Sequence, residues 1–428
     1  MRYRAIDPNL FIENRKKLVA HLNTNSLVVF HANDLMPKNT DGTMPFVQNS
    51  DLFYLSGIDQ EETIVLLYPD APKEEWKEIL FIKETDAQLA IWEGNTYTKT
   101  TATAISGIAT VHWTSQFKQV FHTLMGLADR VYLNSNEHPR AHCSIATKDR
   151  RFISWCKDHY PLHEYGRIAP IMQQLRGIKE ETEITFIQEA CNITEAGFRS
   201  VLPMVRPGLM EYEIEAVLSY EFLRRGSKGF AYAPIVASGA NSCTLHYIHN
   251  DQPCPAGELL LIDVGAEYAH YSADITRVIP IDGKFTSRQR KVYNAVLRIL
   301  KAAQEILRPG LSFAEYHKAV GEWVEGELVA LNLIDATDLK NQSNAAPAYR
   351  KYFMHGISHH LGLSTHDLGD THGIILPNMV LTIEPGIYIR EEKIGIRLEN
   401  NVVIRADGVQ NLTANIPIEV EEIERLMI

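Results

Sequence analysis

The sequence predicts a mixed α/β and α+β protein of two domains. An N-terminal α/β domain is expected over residues 1–172 and a C-terminal domain with a duplicated α+β unit over residues 173–428. The 428 residues are too many for one ordinary hydrophobic core. Short apolar runs alternate with helical stretches in the first part, which is typical of a layered α/β domain. In the second part a helix, an Arg-Pro-Gly-Leu string and another helix occur twice, which indicates an internal repeat.

The elements of the N-terminal domain follow from its apolar patterning. A helix is predicted from Phe11 to Leu22. Three short apolar runs have the length and content of buried strands, namely Leu27–Phe30, Thr63–Tyr68 and Ile79–Ile82. Helices packed on a sheet would cover these runs. The stretch Tyr165–Pro170 is interpreted as a hinge before the next long helix.

The repeat is the main feature of the C-terminal domain. Apolar residues recur every three or four positions from Ile184 to Val201, which predicts an amphipathic helix before Arg206-Pro-Gly-Leu209. The same pattern runs from Val292 to Ile306 and ends at Arg308-Pro-Gly-Leu311. A Glu-Tyr pair and a second helix follow each string. Chance recurrence of four residues is the alternative, and the matching helical context favours duplication.

Composition and charge exclude several classes of protein. The hydrophobic content of 45% is ordinary, and no apolar run approaches the roughly 18 residues of a membrane span. The net charge of -11, without a basic cluster, argues against a nucleic-acid partner. The first ten residues lack the apolar core of a signal peptide. Five widely spaced cysteines without a C-x-x-C motif fit reduced thiols, so a cytoplasmic location is expected.

Five ionisable residues stand in or beside apolar, strand-like runs: Asp263, Asp274, His359, Glu384 and Glu399. An ionised carboxylate at such a place is costly to bury unless something neutralises it. Four carboxylates and one imidazole form a hard, oxygen-rich donor set that suits a pair of divalent cations, with Mn²⁺ favoured and Co²⁺, Fe²⁺ or Zn²⁺ as alternatives. Two such ions activate a shared water and polarise a carbonyl, which is the chemistry of peptide or amide hydrolysis.

The local sequence indicates how these carboxylates are held. Asp263 and Asp274 lie on two runs joined by a short turn, so hairpin pairing would bring them side by side. Without a cation they would repel each other, and one would be protonated. Arg397 points to the same side of its strand as Glu399, so it can hold Glu399 or Asp263 in place. The alternatives are strand-end acids at turns and, for Arg397, a surface ion pair.

Histidines are concentrated in the same part of the chain. Five lie within eighteen residues: His355, His359, His360, His366 and His372. A lone buried histidine is usually a hydrogen-bonded core residue, whereas this density indicates a site with some bystanders. His246 is distant in sequence but belongs to the first half of the repeat.

Five motifs in a fixed order carry a resemblance to a known family. They are Leu261-Ile-Asp-Val-Gly265, Asp274-Ile-Thr-Arg277, His355-Gly-Ile-Ser-His359, Thr382-Ile-Glu-Pro-Gly386 and Gly395-Ile-Arg-Leu-Glu399. In this order they resemble the pita-bread metallopeptidases, and within them the Xaa-Pro aminopeptidases (aminopeptidase P). The resemblance covers nearly the whole chain, and the ordered set is far more specific than any single motif. It implies a C-terminal pita-bread metallopeptidase domain made of the duplicated α+β unit.

The resemblance also implies a role for each candidate metal ligand. Asp263 would bind one metal ion. Asp274 and Glu399 would bridge both ions. His359 and Glu384 would bind the other, and Glu384 would also shuttle the proton of the attacking water.

Further roles follow from the same resemblance. His366 would stabilise the tetrahedral intermediate, His246 would assist catalysis, and Arg397 would support the metal-binding carboxylates. Substrate contacts would come from a set of four residues: His246, His355, Tyr388 and Trp92. His360 stands where a large aromatic residue is expected, so two neighbouring imidazoles are candidate ligands, and the motif favours His359.

The expected substrates are short peptides with proline at the second position. The N-terminal domain would limit access and take part in oligomerisation, giving a homodimer or a homotetramer. Two alternatives stay open: a prolidase that cleaves only Xaa-Pro dipeptides, and a non-catalytic pita-bread module that binds a peptide.

Overall fold

A computed structural model describes residues 2–86, 88, 91–92, 94, 96–141, 143–343 and 346–427. Its contacts divide the chain into two compact units between Leu175 and Arg176, where the sequence suggested a boundary after residue 172. Residues 2–4 belong to the second unit, because Tyr3 is buried and packs edge-on against Tyr268 and His270. We call residues 5–175 the N-terminal unit and the remainder the C-terminal unit.

The N-terminal unit is built of helices around one mixed sheet. Its described helices are α1 Pro8–Val19, α2 Ser50–Ser56, α3 Lys99–Ser106, α4 Phe117–Met125, α5 Lys148–His159 and α6 Ala169–Gly177, which ends just past the boundary. Its strands are β1 Ser26–His31, β2 Pro37–Asn39, β3 Gly42–Thr43, β4 Ile64–Leu67, β5 Glu78–Ile82, β6 Thr110–Trp113, β7 Arg130–Leu133 and β8 Glu164–Arg167.

Six of these strands form a sheet in the order β6-β5-β4-β1-β7-β8. Strand β1 runs antiparallel to β4 and parallel to β7, while β5 runs parallel to β6. The three apolar runs expected to be strands are β1, β4 and β5, and all three are confirmed. Their apolar side chains are buried on both faces, since helices cover the sheet.

Two local predictions need adjustment. The first helix begins at Pro8 rather than Phe11, because Asp7 caps its N-terminus and proline is favoured at the first helical position. The hinge expected at Tyr165–Pro170 is wrong. Its first half belongs to the edge strand β8, which pairs in parallel with β7, and its last two residues already belong to helix α6. The residues of β8 are exposed or half-exposed and include no apolar run, so the sequence pattern did not predict this strand.

The C-terminal unit contains the predicted repeat. Its described helices are α7 Glu181–Val201, α8 Glu211–Arg224, α9 Ser287–Ile306, α10 Phe313–Ala330, α11 Ala336–Asn341 and α12 Val420–Leu426. Its strands are β9 Gly229–Phe230, β10 Ile235–Ser238, β11 Leu259–Val264, β12 Ala266–Tyr268, β13 Tyr271–Ser272, β14 Ile275–Pro280, β15 Val380–Ile383, β16 Gly386–Ile389, β17 Ile394–Arg397, β18 Asn400–Arg405 and β19 Gly408–Asn411.

Each half of the repeat consists of a long helix, a second helix and an antiparallel three-stranded sheet. Helices α7 and α8 precede the sheet β10-β11-β14, and helices α9 and α10 precede the sheet β15-β18-β19. Thr286 caps α9, and Ser312 with Glu315 forms a capping box on α10. Among the described residues, no helix is both long and apolar enough to cross a bilayer.

Candidate metal centre

The first sheet brings two of the candidate carboxylates together. Strand β11 pairs antiparallel with β14, and Asp263 lies opposite Thr276. Asp274 stands immediately before β14, two residues before Thr276, the residue opposite Asp263. The predicted hairpin is therefore confirmed, with the small strands β12 and β13 in its turn. Both aspartates are buried, at 8% and 5% exposure, so their charges must be balanced by neighbouring groups.

The second sheet contributes the two glutamates. Glu384 directly follows β15, and Glu399 lies between β17 and β18. The backbone N–H of Glu399 donates to the carbonyl of Thr276 at 3.1 Å, which joins the second sheet to the first. The hydroxyl of Thr276 also donates to Glu399 Oε2 at 2.7 Å. The two halves of the repeat thus meet at the carboxylates.

The imidazole of the cluster is that of His359. Its Nε2 lies 3.3 Å from Asp274 Oδ2 and 3.7 Å from Glu384 Oε1. Its Nδ1 is 2.9 Å from the His360 carbonyl, which leaves Nε2 directed at the acids. The adjacent His360 turns elsewhere, with Nε2 3.1 Å from the Asp370 carbonyl and its ring near Phe313. The structure therefore shows that His359, and not His360, faces the carboxylates.

The donor set fits a divalent metal ion. One ligand atom each from Asp274, His359 and Glu399 lie within 4.8 Å of one another. Asp263 and Glu384 adjoin this triad through shared contacts with Asp274 and His359. Three buried carboxylates and the partly buried Glu384 repel each other in one cluster and call for more positive charge than one arginine supplies. Oxygen-rich groups with a single imidazole favour hard or borderline cations.

Arg397 supplies a permanent positive charge beside the acids. Its Nη2 donates to Asp263 Oδ2 at 2.5 Å, its Nη1 donates to the Tyr388 hydroxyl at 2.9 Å, and its Nε donates to Thr276 Oγ1 at 3.0 Å. Through Thr276 it also reaches Glu399. The geometry agrees with the predicted contact to Asp263, and all three bonds are buried, so the guanidinium is held rigidly.

Tyr232 is a site residue that the sequence analysis missed. Its hydroxyl lies 2.6 Å from Asp263 Oδ1 and 2.6 Å from Asp274 Oδ1. Burial, followed by the charges of both aspartates, raises the pKa of Tyr232 well above its ordinary value, so it remains a hydrogen-bond donor. Nothing in Ala231-Tyr-Ala-Pro234 marks this role. Tyr232 reaches the aspartates because the following strand, β10, pairs with β11.

Burial opposes ionisation within the carboxylate cluster. It raises the pKa of Glu384 to about 7, with His359 opposing the shift and Asp274 adding to it. Burial, with repulsion from Asp274 and Glu384, also raises the pKa of Glu399 well above its ordinary value. Burial acts against Asp274 too, but the hydrogen bond and charge of His359 hold the pKa of Asp274 below its usual range. An added cation would favour the ionised form of every member.

The remaining histidines of the site surround this cluster. The ring of His366 stacks on that of His359 at 4.0 Å. His355 Nε2 lies 2.8 Å from the Tyr388 hydroxyl, and its Nδ1 lies 3.4 Å from Glu384 Oε2. Burial, followed by the charge of Arg397, lowers the pKa of His355 to about 3, so this imidazole is neutral.

Three predicted contact residues differ widely in exposure. His246 is exposed. Tyr388 is 1% exposed, and its hydroxyl forms hydrogen bonds with both His355 and Arg397. Trp92 lies in the N-terminal unit and is 87% exposed. His372, which had no assigned role, is an exposed residue whose backbone N–H bonds Asp370.

Comparison with known proteins identifies the class. Residues 185–406 match the model of metallopeptidase family M24, and the chain belongs to this family. Residues 11–132 match the N-terminal domain of aminopeptidase P. The chain is therefore a metallopeptidase, and the predicted combination of an N-terminal α/β domain with a pita-bread domain is confirmed.

Similarity to individual relatives covers nearly the whole chain. The Xaa-Pro aminopeptidase of Escherichia coli is 32% identical, over 98% of this chain and 97% of the relative. That of Haemophilus influenzae is 33% identical, over 97% and 96%. The solved structure of E. coli aminopeptidase P with the inhibitor Pro-Leu is 32% identical, with a TM-score of 0.87 and 99% of both chains covered. Pseudomonas aeruginosa aminopeptidase PepP is 31% identical, with a TM-score of 0.90 over 99% of this chain and 98% of the other.

Metal binding is expected to tighten as the pH rises from about 5 to about 7 and to release protons. The reason is that Glu384, with its pKa near 7, and Glu399 must lose protons before they can coordinate a cation. Calorimetric titration of the metal-free protein with Mn²⁺, in two buffers of different ionisation enthalpy, measures both quantities. An affinity that is flat over this range, with no proton release, would contradict the assignment of these glutamates as ligands.

Proposed function

We propose that this protein is an Xaa-Pro aminopeptidase that uses two metal ions to hydrolyse the bond between the first residue of a peptide and a following proline. The observation that carries the proposal is the convergence of four carboxylates and one imidazole from both halves of the repeat. Full-length similarity to Xaa-Pro aminopeptidases supports the substrate class.

We propose the following arrangement of ligands. Asp263 would hold one ion, His359 and Glu384 would hold the other, and Asp274 and Glu399 would be shared by both. When bound, the ions supply a water of lowered pKa and a Lewis acid for the peptide carbonyl. Manganese is the expected metal because the donors are mainly carboxylate oxygens, with Co²⁺, Fe²⁺ and Zn²⁺ as alternatives. A zinc-substituted form of E. coli aminopeptidase P has been solved with product.

The protein groups around the cluster suit proton transfer and substrate positioning. Glu384, which lies beside His359 and His355, can accept the proton of the attacking water and pass it to the leaving proline nitrogen. His366 is assigned to the tetrahedral intermediate because its ring stacks on His359, beside the acids. His355 and His246 are assigned to the substrate. Tyr388, whose hydroxyl is 2.8 Å from His355, orients that imidazole.

The proposed contact between Trp92 and substrate stays a prediction, as does access restriction by residues 1–172.

A homodimer or homotetramer is proposed, and sedimentation velocity measures the assembly. A cytoplasmic location is proposed because all five cysteines are free thiols. Subcellular fractionation tests it.

The decisive experiment compares two substrates. With Mn²⁺-loaded protein, an Xaa-Pro-Yaa tripeptide is expected to lose its first residue, and a chelator is expected to abolish the reaction. Mass spectrometry of the products measures this. The matching Xaa-Pro dipeptide serves as the comparison, since cleavage of the dipeptide alone would indicate a prolidase. Failure to cleave either peptide, with metal bound, would indicate the non-catalytic module.

A further inference from the structure

His366 lies on a segment that has no regular structure of its own. The structure describes all of residues 361–373, and none of them belongs to a helix or a strand. Even so, the ring of His366 is stacked on that of His359, with centroids 4.0 Å apart and planes 24° apart. The Asp367 N–H donates to the His360 carbonyl at 2.9 Å, which closes the loop next to His366. An irregular segment keeps one conformation only where buried contacts anchor it, so the anchors of this loop help to determine where the imidazole lies.

Asp367, the next residue, anchors the segment through its side chain. Its carboxylate is buried, and two buried cations contact it: Arg176 Nη2 donates to Oδ1, and Lys179 Nζ donates to Oδ2 at 3.0 Å. The Lys179 ammonium also donates to the Arg176 carbonyl, and the Lys179 N–H donates to the Asn378 carbonyl at 2.9 Å. The carboxylate is therefore bound to residues 176–179, a stretch that is itself fixed by hydrogen bonds.

The chemistry of this cluster suits the positioning of a loop better than the stabilisation of the fold. Apolar side chains of similar volume often stabilise a protein as well as a buried ion pair does, because burying the charges is costly. A carboxylate between two cations differs in being directional, since each oxygen must meet its own donor. Burial opposes the ionised form of Asp367, but the charges of Arg176 and Lys179 hold the pKa of this carboxyl below its usual range. Glu183, which is also buried, balances the second cation in charge but accepts a hydrogen bond from the Tyr271 hydroxyl at 3.1 Å.

We propose that Asp367 is a positioning residue for His366. Held by Arg176 and Lys179, its carboxylate fixes the loop so that the neighbouring imidazole stays beside His359, where it can reach the tetrahedral intermediate. All five residues lie in the C-terminal unit. The inference rests on the proposed function, because it adds a residue to the same reaction.

A double-mutant cycle on the full-length, Mn²⁺-loaded protein tests whether Asp367 acts through His366. Asp367→Asn keeps the size of the side chain but removes its charge, so the loop is expected to lose its anchor. With an Xaa-Pro-Yaa tripeptide, kcat is expected to fall by about 10- to 100-fold with little change in KM, because a small displacement of a catalytic group has effects of this size. In the His366→Ala protein the same substitution is expected to change kcat by less than about twofold, since no imidazole is left to position.

Equal losses of kcat in the two backgrounds would show that Asp367 does not act through His366, and would overturn the proposal. Calorimetry with Mn²⁺ adds a readout that does not depend on activity. The Asp367→Asn protein is expected to bind Mn²⁺ as wild type does, because the proposed ligands are unchanged. A loss of affinity that matches the loss of kcat would indicate a disturbed metal centre instead, and would also reject the positioning role.

Two further variants control for folding. Asp370→Asn is the matched control, since Asp370 is an exposed residue of the same segment whose carboxylate accepts from backbone N–H groups. It is expected to have wild-type kcat. Lys179→Met removes one cation but keeps the pair of Asp367 with Arg176, so it replaces Asp367→Asn if that protein does not fold. It is expected to lower kcat by about 3- to 10-fold, and a fall of the same size in the His366→Ala protein would reject the proposal.

The wild-type protein separates this inference from the proposed function on which it rests. If wild type does not cleave the tripeptide with metal bound, the proposed function is wrong and the role of Asp367 falls with it. If wild type is active and the effects of the two substitutions on kcat are additive, only the positioning role is wrong.

Discussion

Replacing Glu384 by glutamine is expected to lower kcat for an Xaa-Pro-Yaa tripeptide by about 10²–10⁴-fold, the usual contribution of a general acid or base. Glutamine has nearly the same shape but cannot accept a proton, and its amide is a weaker metal ligand. The stability of the metal-free protein should move in the opposite direction. Glu384 is partly buried beside His359, and burial raises its pKa to about 7, so its negative charge is disfavoured in the fold.

The sign of the stability effect follows from that pKa. A carboxyl whose pKa is higher in the folded state than in the unfolded chain stabilises the fold at low pH, and this contribution is lost as the pH rises through about 7. Glutamine does not titrate. The metal-free Glu384→Gln protein should therefore gain in Tm relative to wild type as the pH rises from about 5 to about 8. Loss of activity with retained or raised Tm separates a chemical role from misfolding.

Glu391→Gln is the matched control for this experiment. Glu391 is exposed in the short turn after β16, close in sequence but outside the carboxylate cluster. It is expected to retain wild-type kcat and Tm. Activity of the Glu384→Gln protein within tenfold of wild type would contradict the proposed proton transfer. A fall in Tm that grows with pH would contradict the electrostatic account.

The sequence predicted the carboxylates of the site because their local surroundings are unusual. Asp263 follows four consecutive apolar residues, and Glu384 follows a strand and precedes Pro385. A charge at the end of a buried strand stands out without knowledge of the fold. The repeated helix pattern could also be predicted, because helical periodicity and the Arg-Pro-Gly strings are local features of the sequence.

Other features depend on pairing between distant segments and could not be predicted. Tyr232 contacts two aspartates that lie 31 and 42 residues further along the chain. Thr276 links Glu399 to Arg397 across 123 and 121 residues. The distinction between His359 and His360 also required the fold. Adjacent residues in an irregular segment have no periodicity to show which one faces the acids.

Removal of the Arg397 guanidinium is expected to lower the free energy of unfolding of the metal-free protein by about 3–5 kcal/mol, as for other buried ion pairs that lose one partner. The Arg397→Met side chain fills similar space but leaves Asp263, Thr276 and the Tyr388 hydroxyl without their donor. Arg397→Lys should fall between wild type and Met, because lysine restores the charge but not the three-way fork. Denaturant unfolding of the chelator-treated proteins measures the difference.

Arg405→Met is the matched control, because Arg405 pairs with Glu181 at the surface and such a pair contributes about 1 kcal/mol or less. Added Mn²⁺ should recover part of the loss in Arg397→Met but change little in Arg405→Met, since bound cations supply positive charge to the carboxylates that Arg397 faces. Equal stability of the Arg397→Met and Arg405→Met proteins without metal would mean that the buried acids are protonated and need no counter-charge. Recovery by metal in neither protein would mean that the cations and Arg397 do not act on the same carboxylates.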